Sequence, residues 1–155
     1  MQAFLHSIRR RPEPYLGQGP FQEHWNTVSN VPFLVIGLLR LWSPLGQEKT
    51  LRQLYVFYVL AGVCSGIHHA IDFPGSIVLD WMPISYSLLL WYRYDVVFYL
   101  SAATWAQLGL ALGILLVDHL GPVVPVPWGH VLWHITAALA VDAAYQDYHL
   151  AGFDW

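Results

Sequence analysis

VVFYLSAATWAQLGLALGILLV, residues 96–117, runs for 22 positions without a charged side chain. An α-helix needs about twenty predominantly apolar residues to cross the hydrocarbon core of a bilayer, so this run reads as a membrane span. The rest of the chain has the same character. Of 155 residues, 56% are hydrophobic and 11% are charged, against about 25% charged in an ordinary soluble domain. Working outward, turn signals cut the sequence into four further spans. A helix over 23–42 stops at Ser43-Pro44-Leu45-Gly46, and one over 51–71 stops at Asp72-Phe73-Pro74-Gly75. A third covers 76–92, with Pro83 as the expected kink, and the last covers 127–148 beyond a stiff loop holding Pro122, Pro125 and Pro127. The predicted fold is all-α: a polytopic membrane bundle of five helices forming one integral membrane domain, led by an irregular Pro- and Gly-rich arm at 1–21.

Several classes drop out at once. A net charge of −3 and the lack of a basic stripe with interleaved aromatics argue against a nucleic-acid partner. The single cysteine, Cys64, excludes an intrachain disulfide. At the N-terminus the arginines follow the apolar residues, which is not the order of a cleavable signal peptide, so the first span is expected to target the chain. Arg9, Arg10 and Arg11 on one side balance Arg40, Lys49, Arg52 and Arg93 on the other, and the positive-inside rule therefore selects no orientation. Arg40 is expected to snorkel to the interface, and the abundant Trp and Tyr to form interfacial belts.

Parity sorts the polar residues left inside the spans. With five passes, helix 1 starts on the side where helix 2 ends, where helix 3 starts and where helix 5 starts. Glu23, Asn26 and Asn30 open helix 1, and Ser65, His68 and His69 close helix 2. Asp80 lies just inside helix 3, and His130 and His134 open helix 5. All fall on one side, within about two turns of the surface at 1.5 Å rise per residue. Asp142, Asp147 and Asp154 fall elsewhere.

Within that group, Gly129-His130-Val131-Leu132-Trp133-His134 places two imidazoles at i and i+4, on one helix face. Ionisable groups in a membrane helix are costly and mark functional sites. A catalytic zinc takes three protein ligands and keeps the fourth position for water. The third ligand is open among His69, His68 and His119. His69 is favoured because Ser65, four residues earlier, shares its face, and Asp80 follows across a tight turn. A carboxylate there can shuttle the proton of an activated water, and the serine hydroxyl can donate to an oxyanion. Serine as nucleophile is disfavoured, because no histidine stays free as its base. Glu23, Asn26 and Asn30 share a stripe that could equally cap and pack helix 1.

These residues resemble the alkaline ceramidases, members of a superfamily of membrane hydrolases that includes the adiponectin-receptor-like proteins. The resemblance is carried by Glu23-His24-Trp25-Asn26-Thr27-Val28-Ser29-Asn30, then Ser65-x-x-x-His69, Asp80 and His130-x-x-x-His134. It implies a zinc held by His69, His130 and His134, with Ser65 and Asp80 completing the catalytic group. It also implies hydrolysis of the N-acyl bond of ceramide, or a similar lipid, to a sphingoid base and a fatty acid. The chain departs from the family in three ways. It has room for five helices where seven are usual, so a second protomer is a candidate to close the flank. Its arm reads Arg11-Pro12-Glu13-Pro14-Tyr15 where relatives carry an acidic calcium motif, leaving Glu13 and Glu23 as the calcium candidates. An arginine cluster replaces the acidic character of that arm. Two other readings use the same residues: a receptor-like member with a structural zinc, and a b-type haem carrier using two of the histidines as axial ligands.

Overall fold

The computed structural model describes residues 23–71, 73, 75–120 and 128–152, with the side chains of His119 and Leu120 excepted. The expected arm at 1–21, with Glu13, lies outside them, as does the 121–127 connection. The described residues form α-helices and no strands: α1 (His24–Val28), α2 (Val31–Trp42), α3 (Lys49–Ala70), α4 (Ser76–Arg93), α5 (Ala102–Leu120) and α6 (Gly129–Leu150), with 3-10 turns at Pro44–Gln47 and Val96–Tyr99.

Two expected helices differ from the observed ones, each for a local reason. The helix expected over 23–42 is broken at Ser29–Asn30, because Pro32 has no N–H to offer the Val28 carbonyl and its ring crowds that group. Ser29 Oγ and Asn30 Nδ2 instead bond the Asn26 carbonyl at 2.8 and 2.9 Å. The helix expected from residue 96 starts at Ala102. Asp95 sits in the left-handed region at φ 54°, and the next residues form a 3-10 turn that buries Val96 completely. Ser101 then starts α5: its Oγ accepts the Thr104 N–H at 3.2 Å, while its own N–H donates to Asp147 Oδ2 at 2.7 Å. α4 runs through Pro83 without ending.

α3 is central, packing on α1, α2 and α4, while α6 packs most extensively on α5. α2 and α3 approach through reciprocal glycines. A Cβ at Gly37 would lie 2.4 Å from a Val59 methyl, and one at Gly62 would lie 2.6 Å from Phe33 Cβ. The two ends of the bundle differ. At one end Leu51, Leu54, Tyr55, Tyr58, Leu90, Trp91, Ala138, Ala144, Tyr145 and Tyr148 make a buried core. Tyr55 and Tyr145 meet edge-to-face with centroids 5.0 Å apart, and Tyr58 donates to the Ala138 carbonyl at 2.9 Å. These aromatics, expected at the interfaces, form the interior instead, because a hydroxyl or indole finds a partner there. Arg40 likewise does not snorkel but pairs with Asp142 on α6.

The outer surface is apolar. Leu39, Trp42, Val78, Met82, Leu89, Tyr92, Phe98 and Leu110 are exposed, while Asp80, His69 and Asp142 are buried. Among the described residues one helix, Lys49–Ala70, is by length and composition apolar enough to cross a membrane; Ala102–Asp118 is apolar but shorter. Of the others, α2 is cut to 12 residues, and α4 and α6 are diluted by polar residues, among them Asp80 and Arg93 in one and His130, His134, Asp142 and Asp147 in the other.

Candidate metal centre

The other end of the bundle gathers three histidines. His69 comes from the last turn of α3, and His130 and His134 from the first two turns of α6. Gly75, at φ 89°, turns the chain from α3 into α4 just beyond His69. One ring nitrogen from each histidine lies within 4.8 Å of the others. His69 and His134 are buried, at 4% and 1% exposure, and His130 is partly open.

Each ring is held from behind. His69 Nδ1 meets Glu23 Oε2 at 2.5 Å, and that same oxygen accepts from Asn26 Nδ2 at 3.2 Å. The Glu23 N–H also donates to the His69 carbonyl at 3.0 Å, fixing the entry of α1 to the end of α3. His130 Nδ1 faces Asp118 Oδ2 of α5 at 3.2 Å. His134 Nδ1 lies 2.7 Å from Ser29 Oγ and 3.3 Å from Asn30 Nδ2.

Two of these partners orient their rings. A carboxylate at neutral pH only accepts, so His69 and His130 turn an Nδ1 hydrogen toward Glu23 and Asp118 and point Nε2 inward, the ligating atom of a neutral imidazole. Ser29 gives its own hydrogen to the Asn26 carbonyl, and the His134 Nδ1 edge is held between the Ser29 hydroxyl and the Asn30 amide, which turns Nε2 inward. The Nε2 atoms of His69 and His130 face each other across 3.2 Å. Buried His134 Nε2 has no hydrogen-bond partner. Three ring nitrogens thus converge on one point, where a cation could be shared among them. Nitrogen ligands about 2.0–2.1 Å from a tetrahedral zinc lie about 3.4 Å apart, which the His69–His130 spacing matches. An all-imidazole set suits zinc and its neighbours rather than the oxygen-seeking calcium or magnesium. The residues present therefore fit such an ion. Ring centroids only 4.6 to 5.1 Å apart leave no flat slot for a haem.

No protein-family model, curated protein or solved structure matches the chain.

The remaining expected site residues divide. Ser65 and Asp80 are both buried, at 5% and 9% exposure. Asp80 Oδ1 has no hydrogen-bond partner, and the carboxylate interacts electrostatically with Cys64, beside Ser65. Neither is hydrogen-bonded to the three rings. His68 is packed rather than converging: its Nδ1 meets Ser76 Oγ at 2.9 Å, and its ring stands edge-on to His69. Glu23, Asn26 and Asn30 knit α1 together and also reach the histidines. Because Glu23 Oε2 serves His69 and Asn26, that oxygen is not free for calcium; Glu13 lies outside the described residues, and the side chain of His119 is likewise not described. Sequence reasoning missed Asp118 and Ser29. Asp118 closes α5 on the histidine side, so the parity argument contained its signal.

Proposed function

We propose that this chain is a zinc-dependent, membrane-embedded lipid amide hydrolase of ceramidase type, built as a five-pass bundle. The observation that carries the proposal is the convergence of three histidine ring nitrogens within 4.8 Å, with the buried His134 Nε2 lacking a hydrogen-bond partner. The membrane setting is supported by the low charge and by an apolar exterior over buried acids and histidines.

His69, His130 and His134 would hold a zinc ion, which when bound would supply the Lewis acidity that makes water nucleophilic near neutral pH. Asp80 offers an unpartnered buried oxygen that takes the proton of the attacking water. As the amide C–N bond breaks and the new C–O bond stays, the same carboxyl returns that proton to the leaving nitrogen, giving a free amine and a fatty acid. Ser65 donates its hydroxyl hydrogen to the oxyanion.

That neither Ser65 nor Asp80 is hydrogen-bonded to the rings favours one alternative, a receptor-like protein that holds zinc structurally. Zinc analysis beside ceramide hydrolysis in mixed micelles separates the two. Full hydrolase function predicts one zinc per chain, its loss in His69→Ala and His134→Ala, and at least a 100-fold loss of turnover with retained zinc in Asp80→Asn. Bound zinc without hydrolysis in the wild type makes the protein receptor-like. Full zinc occupancy in His134→Ala removes the site itself.

A further inference from the structure

The three ligands are not equally secured. His69 and His134 are buried, whereas the His130 side chain keeps 24% of its surface exposed, so water competes for its Nδ1 proton and its ring has room to turn. What restrains it comes from another helix. Asp118, near the C-terminal end of α5, places Oδ2 3.2 Å from His130 Nδ1. A second observation concerns the residue before His130. A Cβ built on Gly129 would fall 2.8 Å from Asp118 Oδ1 and 3.3 Å from its Cβ and Cγ. The carboxylate occupies the space that any other residue at 129 would fill.

We infer that Asp118 is the positioning residue for His130, that Gly129 exists to admit it, and that α5 thereby governs the affinity of the metal centre. The inference rests on the zinc reading above. Its chemistry is that of a carboxylate–histidine–metal arm: the acid fixes the tautomer, aims Nε2 inward and makes the imidazole a better donor. Glu23 does the same for His69. The two carboxylates cancel the two charges of a divalent ion, while His134, backed by the neutral Ser29 hydroxyl, adds none. Without Asp118 the centre loses one of the two carboxylates behind its ligands, and its most exposed ligand is unaimed.

The two residues allow a test that separates charge from aim. Asp118→Asn keeps an acceptor and removes the charge. Asp118→Ala removes both. Gly129→Ala keeps the acid and pushes it off His130, while raising helix propensity at the start of α6. Zinc affinity is measured on the purified full chain in detergent, by competition with a chromophoric chelator. The visible spectrum of the cobalt(II)-loaded protein reports the ligand geometry. Loss of a carboxylate behind a ligand costs 10- to 100-fold in affinity. We expect that range for Asp118→Ala, about 10-fold for Gly129→Ala and a smaller loss for Asp118→Asn, with shifted cobalt bands in the first two. Melting of the metal-free Gly129→Ala protein at or above the wild-type temperature shows that the fold survives. Wild-type affinity and an unchanged cobalt spectrum in Asp118→Ala and Gly129→Ala overturn the inference and leave the three-histidine site standing. A wild type that binds neither zinc nor cobalt overturns the zinc reading, and this inference with it.

Discussion

Two buried polar clusters sit in this apolar bundle, and they are built on opposite principles. Around Asp142 every acceptor is filled from within the chain. Oδ1 takes Arg40 Nε at 3.0 Å and the Tyr55 hydroxyl at 2.8 Å, and Oδ2 takes an Arg40 Nη hydrogen at 2.9 Å and Gln146 Nε2 at 2.7 Å. Four donors meet the four lone-pair positions of one carboxylate. Around His134 the opposite holds: three ring nitrogens converge, and its own buried Nε2 has no hydrogen-bond partner. A buried polar group left unsatisfied costs free energy. A closed network is what a fold uses to join its helices; an open one of this kind is what it uses to hold something else.

That contrast breaks if the Asp142 network is not structural. Asp142→Ala strands the Arg40 guanidinium, and we expect a loss of about 3 kcal/mol in stability, read as a lower melting temperature in detergent whether or not zinc is present. Replacing both charges together, Arg40→Met with Asp142→Leu, should recover at least half of that loss, since a paired charge exchanged for packed apolar groups is often neutral. If the double variant is no more stable than Asp142→Ala, the pair has a role beyond joining α2 to α6.

The histidine cluster should behave in the other way, with a stability that depends on the ligand. Zinc at 100 times its dissociation constant is expected to stabilise the wild type by about 2.7 kcal/mol, and to leave His134→Ala unmoved. A melting temperature indifferent to zinc and to chelator would place both clusters in the structural class. Smaller effects then sharpen the distinction. Ser29→Ala removes the hydroxyl behind His134, and about a 10-fold weaker zinc affinity should accompany a stability change of about 1 kcal/mol in the metal-free protein. At the surface, Glu48→Gln breaks the 2.7 Å pair with His149, two partly exposed side chains, and should change stability by less than about 0.5 kcal/mol.

How much of this could be read from the sequence differs between the two clusters. Hydropathy and turn chemistry give an all-helical chain with its long helices in the right order. The i, i+4 spacing of His130 and His134, joined to parity, brings His69 to the same end. Parity fixes height, not rotation about the helix axis, and cross-helix partners depend on rotation. That is why Asp118 behind His130 and Asp142 behind Arg40 stayed hidden, although both lay at the right level. The start of α5 was hidden for another reason: an unbroken apolar run shows neither the positive φ of Asp95 nor the side chain of Asp147 arriving from another helix to hold Ser101.

The unequal burial of the three rings has a consequence in time. With His69 and His134 enclosed and His130 at the open corner, ligand exchange should proceed stepwise through one door. His130 swings out first, a competing chelator enters beside the two rings that remain, and release follows. The off-rate of the ion would then track the opening of the first turn of α6, and amide hydrogen exchange at that turn is the clock against which it can be timed.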